Sequence, residues 1–212
     1  MTRRQRQLCL YVFGAAWVVL SGCASQVIAV APRVNLGIYE RIGMIELVSS
    51  AEGDLPQLAT QKLMQAIQSA QPGVHILELG DESQVLESIK HDRLDFEAIQ
   101  AIGERYRVDA VLIGQLEVTD NKPKVTISTL LKSMSAQVDV EASLSAKLLE
   151  TETGSTLWTR SVRGRETVAH MKLQHRGPSD FGASDPEDAY GKLVQSLAHQ
   201  ITGDFRIRYE RL

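Results

Sequence analysis

The chain has 212 residues, with 23 basic and 26 acidic side chains and a formal net charge of −3. This balance provides no dominant basic surface, which argues against nucleic acid as a partner. Only 5% of the residues are aromatic, so we expect a mostly aliphatic core in a chain long enough to bury one.

The first 22 residues have the pattern of a secretory leader. Three arginines and no acid precede an apolar run of 13 residues, Leu8–Leu20. A spanning helix needs about 20 apolar residues, so this run is too short for a comfortable membrane anchor. We therefore predict that residues 1–22 are a cleaved signal peptide and that the rest of the chain is exported.

The segment Leu20-Ser21-Gly22-Cys23 resembles the lipobox of bacterial lipoproteins. In that family the cysteine receives a diacylglycerol and becomes the first residue after cleavage. The resemblance implies lipidation of Cys23, because several acyl chains hold a protein stably at a membrane. The alternative is an ordinary secretory signal with an incidental cysteine. Ala24 and Ser25 follow, with no Asp, which resembles the outer-membrane sorting pattern and implies a periplasm-facing anchor there.

Cleavage and lipidation would use both cysteines of the chain. Cys9 leaves with the leader and Cys23 is acylated, so the mature domain has no thiol for a disulfide, a metal site or thiol catalysis. Removal of residues 1–22 leaves 20 basic and 26 acidic side chains, a net charge of −6. We expect a mature protein of 190 residues.

The mature chain is predicted to consist of a lipidated tether at 23–40 and a single periplasmic domain at 41–212. Residues 24–40 show no clean period and contain Pro32 and Gly37, which is typical of a tether with at most a short edge strand. The next segments predict strands near 41–48, 74–79, 108–118 and 125–128, and helices near 54–70, 82–90 and 93–105. In the last of these helices, Phe96, Ile99 and Ile102 are expected to face inward.

The second half of the domain predicts an antiparallel hairpin. Alternate residues from Val138 to Leu148 are apolar, and their neighbours, among them Asp139, are polar, so one face is expected to be buried and the other wet. A turn at 152–155 leads to a returning strand. A loop is predicted at 171–184, followed by a last helix that starts at Asp185. Four apolar residues are expected on the inner face of this helix; they are Leu193, Val194, Leu197 and Ile201. This order indicates an α/β (α+β) fold, a mixed sheet with helices packed on it.

Several local motifs resemble two lipoprotein families. They are Arg41-Ile-Gly-Met-Ile-Glu-Leu, Tyr106-Arg-Val-Asp-Ala-Val-Leu-Ile-Gly-Gln-Leu, and the hairpin from Ala146 to Trp158. Together with the lipobox, they resemble the curli-secretion (CsgG-like) lipoproteins and the lipoprotein activators of penicillin-binding proteins (LpoB-like). The resemblance implies a non-catalytic accessory that binds envelope proteins. The alternative is a subunit of an oligomeric outer-membrane secretion assembly, but residues 124–150 contain no aromatic residue, so we expect a domain held by its lipid.

Three further residues have predicted structural roles. Gly114, inside a strand, indicates close backbone approach or a bulge. Gly154 suits a turn position with positive φ. Trp158 is expected in the core or on a sheet face rather than at a ligand.

Two polar clusters were candidates for chemistry. His91 beside Asp92 and Asp95 could transfer protons, but the pattern favours a helix start with Asp92 as the cap. The histidines and carboxylates near the predicted loop match no known metal-ligand spacing; they are His170, His175, Asp180 and Asp185.

The terminal run contains arginines that could form an edge strand, a docking surface or a solvated face; they are Arg206, Arg208 and Arg211. We predict no enzyme activity, no cofactor and no metal. The expected partners are the membrane, through the lipid, and envelope proteins. Whether the chain forms a homo-oligomer stays open.

Overall fold

The computed structural model describes residues 27–50, 54–120, 124–128, 133–174, 180–183 and 186–211. The predicted signal peptide and Cys23 lie outside these residues. The described chain divides into two compact units. A terminal unit contains residues 27–31 and 207–211, and the main unit is Pro32–Arg206.

In chain order, the described strands and helices are β1 (Val27–Val30), β2 (Ile42–Ile45), β3 (Val48–Ser49), α1 (Leu55–Ala70), β4 (Ile76–Gly80), α2 (Glu82–Ile89), α3 (Phe96–Tyr106), β5 (Ala110–Asp120), β6 (Lys124–Ser128), β7 (Ser133–Glu150), β8 (Thr156–Gln174), β9 (Asp180–Ala183), α4 (Pro186–Ile201) and β10 (Arg208–Arg211). Short 3-10 turns occur at Leu36–Ile38 and Thr202–Phe205. In the terminal unit, β1 pairs antiparallel with β10.

The main unit contains a mixed sheet. Among the described residues, its strand order is β4-β2-β5-β7-β8-β9, with β3 added to β5 and β6 added to β7. Strands β4, β2 and β5 are parallel, whereas β5, β7, β8 and β9 pair antiparallel. This arrangement confirms the predicted α/β (α+β) fold, a mixed sheet with an antiparallel hairpin in its second half.

Helices cover the two faces of this sheet to different extents. On one face, α1 and α4 bury a large aliphatic cluster that includes Met44, Leu63, Leu144 and Leu197. On the other face, a smaller cluster includes Val85 of α2, Ile102 of α3 and Val111 of β5. Each fully buried aliphatic side chain of this kind contributes about 1.5–3 kcal/mol.

Capping residues fix where the short helices start. Asp81 accepts a hydrogen bond from the Gln84 N–H at the start of α2, and Asp95 accepts one from the Ala98 N–H at the start of α3. Helix α1 begins with Pro56 in its first turn, but the Asp54 side chain makes no capping hydrogen bond.

The hairpin of β7 and β8 follows the predicted alternation for most of its described length. Alternate residues of β7 are buried; they are Val140, Ala142, Leu144, Ala146 and Leu148. Asp139 is buried as well, with 7% of its surface exposed, so its predicted place on the wet face is wrong. The register shifts between Val138 and Asp139, and Asp139 accepts a hydrogen bond from the Thr167 hydroxyl at 3.0 Å.

The two predicted roles for glycine are confirmed. A Cβ on Gly114 would lie 2.6 Å from the Ser145 carbonyl oxygen and 2.6 Å from Leu47 Cδ2. Gly154 has a φ of +62° in the turn between β7 and β8. The ring of Phe96 lies against that turn, because a Cβ on Gly154 would be 2.1 Å from Phe96 Cδ2.

Two predictions about α3 are corrected by this geometry. Phe96 does not face the core: 48% of its surface is exposed, and it covers the hairpin turn instead. Ile99 and Ile102 are buried, as predicted. The cap is Asp95 rather than Asp92, because α3 starts three residues later than expected.

Two further segments differ from their predicted form. The predicted loop at 171–184 is strand at both ends, since β8 continues to Gln174 and pairs with β9 at 180–183. Residues 32–40 belong to the main unit, and Leu36 is 1% exposed in its core, so this part of the predicted tether is packed. The division of the chain into leader, tether and periplasmic domain stays a prediction.

Candidate functional site

The predicted lipidation site, Cys23, lies just before the described chain. The first described residue is Val27, four positions further on. It begins the ribbon formed by β1 and β10, in which Val27 pairs with Arg211 and Val30 pairs with Arg208. Along the chain, β1 is thus the first described element after the predicted lipidation site.

The ribbon presents two chemically different faces, because successive strand residues point to opposite sides. One face, called here the apolar face, consists of Val27, Ala29, Ile207, Tyr209 and Arg211. These five residues are all exposed, Tyr209 by 72% and Ile207 by 55%. The opposite face contains Ile28 and Val30 together with Arg208 and Glu210, so it combines two aliphatic side chains with two opposite charges.

Gln71, at the end of α1, ties two distant segments of the main unit together. Its Oε1 accepts a hydrogen bond from the Leu36 N–H at 2.7 Å, and its Nε2 donates to the carbonyl oxygens of Val34 at 2.6 Å and Phe205 at 3.0 Å. Gln71 is only 9% exposed, so these bonds form largely away from water. We call these contacts of Gln71, together with the contacts of Asp204, the clasp.

Asp204 forms the second half of the clasp. Its carboxylate accepts hydrogen bonds from Arg160 at 2.9 Å and from the Trp158 indole at 3.2 Å, and Arg33 lies 3.7 Å away. The backbone adds a bond from the Val34 N–H to the Asp204 carbonyl at 3.3 Å. Partial burial opposes ionisation, but the bonds from Trp158 and Arg160 outweigh it and lower the pKa of Asp204.

Trp158 is part of the core, as predicted. It is 8% exposed, and its ring centroid is 4.8 Å from that of Phe205. The clasp therefore joins residues 33–36, before β2, to residues 204–205, before β10. The packed rings of Trp158 and Phe205 belong to the same group of contacts. Gln71 and Asp204 could not be predicted from the sequence, because neither residue belongs to a motif and their partners are 35 to 171 positions away.

A crevice of about 350 Å³ opens where the layer of α2 and α3 ends on the sheet. Its lining includes the apolar residues Ile113 and Val48 and the polar residues Glu82, Ser145 and Lys147. It lies beside the carboxyl ends of the parallel strands, where open α/β sheets commonly bind ligands. A volume of this size is near the lower limit for small-molecule sites.

A second cavity of about 450 Å³ lies at the opposite end of the parallel strands. Asp109 there accepts hydrogen bonds from the backbone N–H groups of Glu40 and Arg41, at 2.7 and 3.0 Å. The Thr151 hydroxyl donates to the carbonyl oxygens of Val108 and Asp109. These contacts hold the entry to β2 against the hairpin turn, which is a structural task.

The cluster of His91, Asp92 and Asp95, considered for proton transfer, lies at a helix start, as the sequence pattern favours. Arg93 donates to Asp95 at 2.9 Å, and this bond, followed by the one from the Ala98 N–H, lowers the pKa of Asp95. Asp95 is thus held as an ionised cap, consistent with the structural interpretation of this segment.

The remaining predicted residues divide between the described and undescribed parts. Described side chains form no group of three that could hold a metal ion. The four side chains of the other metal hypothesis, His170, His175, Asp180 and Asp185, lie outside the described side chains. Within the described chain, no helix is long and apolar enough to cross a membrane. Arg206 donates to Thr202 at 2.8 Å and contacts His199 at 2.7 Å, whereas Arg208 and Arg211 are exposed in β10.

The chain matches no protein-family model and no curated protein. It is similar to several solved structures. The PelC dodecamer of Paraburkholderia phytofirmans is 12% identical with a TM-score of 0.43, over 87% of this chain and 99% of that one. Lipoprotein GNA1162 of Neisseria meningitidis is 16% identical with a TM-score of 0.35, over 76% and 97%.

The C-terminal domain of LpoB from Salmonella enterica is also similar, at 10% identity and a TM-score of 0.37, over 64% of this chain and 84% of that domain. LpoB is thus among the similar structures, as the sequence motifs suggested. At these identities and TM-scores, the similarity does not establish a shared function. The resemblance to the curli-secretion family stays a prediction.

Proposed function

We propose that this protein is a lipoprotein, anchored through Cys23 at the periplasmic face of the outer membrane, that acts by binding other envelope proteins without catalysis. The observation that carries the proposal is the order of a basic segment, a 13-residue apolar run and Leu20-Ser21-Gly22-Cys23. Ala24 and Ser25 support the outer-membrane destination.

The antiparallel half of the sheet supports a binding role. Helix α4 packs on one face of β7 and β8, and the opposite face exposes polar side chains along both strands; they include Ser145, Lys147, Thr159, Ser161 and Arg163. A flat polar surface of this kind suits a hydrated protein interface. Its charges are mixed, because Lys147, Arg163 and Arg165 share this face with Glu117 and Glu141.

The anchor is tested by metabolic labelling with palmitate in a Gram-negative host. We expect the wild type and Cys9→Ala to incorporate label and Cys23→Ala to lose it, because only Cys23 follows the small residues of the lipobox. Cys9→Ala is the matched control, since it removes the other cysteine from the same leader. Label that persists in Cys23→Ala would refute the proposal. Membrane fractionation of Ala24→Asp tests the destination: we expect a shift away from the outer membrane.

A second candidate function is a subunit of an oligomeric outer-membrane secretion assembly. Strands β7 and β8 are 18 and 19 residues long. Their length favours this alternative, because assemblies of the curli type use added hairpins. The native mass of the detergent-extracted protein distinguishes the two. A mass near that of one chain supports the accessory, whereas a ring-sized mass supports the secretion assembly.

A further inference from the structure

Exposed apolar side chains are concentrated in the terminal unit. Among the described residues, nine large hydrophobic side chains are exposed, and four of them belong to the terminal unit. Val27, Ile207 and Tyr209 lie on the apolar face, and Ile28 lies on the opposite face. Scattered exposed apolar residues are ordinary, but a cluster on so short a segment indicates a surface that something covers.

The position of the ribbon relative to Cys23 restricts what can cover it. Four peptide units join Cys23 to Val27, and they reach about 14 Å when fully extended. The polar headgroup region of a bilayer extends about 5–8 Å beyond the hydrocarbon on each side. If Cys23 is acylated, β1 therefore starts within or just above the headgroups, whatever path residues 24–26 take.

The apolar face has the composition of a membrane-interface surface. It combines two aliphatic side chains, Val27 and Ile207, with Tyr209 and Arg211, and it contains no acid. Tyrosine rings are enriched at headgroup level, where one end of the ring is apolar and the phenol is wet. Arg211 adds a positive charge beside anionic lipid phosphates, worth about a fivefold change in affinity. Glu210, the one acid of β10, points to the opposite face.

We propose that the apolar face of the ribbon lies in the headgroup region of the membrane that carries the lipid anchor, with Tyr209 at its centre. This inference rests on the proposed lipidation of Cys23. The ribbon is then a second membrane contact beside the lipid anchor, and it holds the start of the domain at the membrane surface. The occupant is the lipid bilayer; pairing of the open strand edges with a second copy is an outcome of the test.

Tryptophan quenching by brominated lipid tests this arrangement on the full mature protein. The lipidated protein is placed in vesicles of phosphatidylethanolamine and phosphatidylglycerol, with and without bromine on the acyl chains. Tyr209→Trp reports the apolar face, and Glu210→Trp is the matched control, one residue further along β10 on the opposite face. The wild type supplies the background, because Trp158 is buried and Trp17 lies in the predicted leader.

We expect the emission of Tyr209→Trp to fall by about half in brominated vesicles, as for a side chain at the boundary of headgroups and acyl chains. The wild type and Glu210→Trp should keep their emission. Constant emission of Tyr209→Trp in acylated protein would overturn the inference, as would equal loss at Glu210→Trp. Constant emission with a doubled native mass would assign the strand edges to a second copy and also overturn it.

Mass spectrometry of the amino-terminal peptide separates failure of this inference from failure of the proposed function. A peptide without acyl chains would refute the lipid anchor and the inference together. An acylated peptide with an unquenched Tyr209→Trp would leave the anchor intact and refute only the membrane contact of the ribbon.

Discussion

Replacement of Gln71 by alanine is the most direct test of the clasp. The side chain makes three hydrogen bonds, to Leu36, Val34 and Phe205, at 2.6–3.0 Å. Two of these bonds are buried, so Gln71→Ala deprives the Leu36 N–H and the Phe205 carbonyl of their partners. An orphaned buried polar group costs about 1–3 kcal/mol, so we expect the two groups together to lower the free energy of unfolding by about 2–6 kcal/mol.

Such a loss is a large fraction of the total stability of an ordinary domain, about 5–15 kcal/mol. It is measured by urea unfolding followed by circular dichroism, with Gln68→Ala as the matched control. Gln68 is an exposed glutamine one turn earlier on the same helix, and its replacement should change stability by less than about 0.5 kcal/mol. Equal stability of the two variants would refute the role of Gln71. Hydrogen exchange at the Leu36 amide adds a local measurement, and we expect it to accelerate only in Gln71→Ala.

Two further predictions concern backbone packing and pH. Gly114→Ala should lower the free energy of unfolding by about 1–3 kcal/mol, because its Cβ would lie 2.6 Å from the Ser145 carbonyl oxygen. Gly191→Ala on α4 should instead stabilise the protein by about 0.5–1 kcal/mol, because a Cβ there meets nothing within 4 Å. Thermal unfolding measures both variants, and a Gly114→Ala protein more stable than the Gly191→Ala protein would contradict these predictions. The pKa of Asp204 is lowered in the folded state, so its contribution is complete above about pH 4 and is lost as the pH falls through the folded pKa. Asp204→Asn should therefore be less stable than wild type at neutral pH and similar to it in strong acid, and a stability gap that does not change with pH would contradict the carboxylate's role.

The sequence predicts best where local pattern and tertiary burial agree. The alternation from Val140 to Leu148 requires one buried face, and the structure has it. The spacing of apolar residues likewise predicts the inner face of the last helix, and the predicted residues are buried; they are Leu193, Val194, Leu197 and Ile201. In these elements a single periodicity decides the orientation of every side chain.

Prediction was wrong where a local pattern was compatible with two arrangements. Phe96, Ile99 and Ile102 share one helical stripe, but Phe96 is the first residue of its helix and its ring covers the turn at Gly154. Periodicity cannot show that, because the turn comes from a distant part of the chain. Asp92 and Asp95 both suit a cap, and three residues of sequence do not decide between them.

Long-range contacts are also why the clasp could not be predicted. Gln71 follows a helix and precedes Pro72, which is a typical end signal and suggests exposure. Its burial depends on segments at both ends of the main unit, and nothing near Gln71 in the sequence specifies them. Lipidation of Cys23 stays a prediction, and it could be made from sequence alone for the opposite reason, since the whole signal lies within 23 consecutive residues.

The clasp also determines how mechanical load would enter the domain. In a chain held from its amino end, tension passes along β1 and reaches the segment from Pro32 to Leu36 before it reaches the central sheet. Along the chain, tension meets the contacts of Arg33 and Val34 with Asp204 and Gln71 before it meets the bond from Leu36 to Gln71. Pulling would therefore detach this segment first, while the hydrogen bonds between β2 and β5 stay unloaded until it has peeled away.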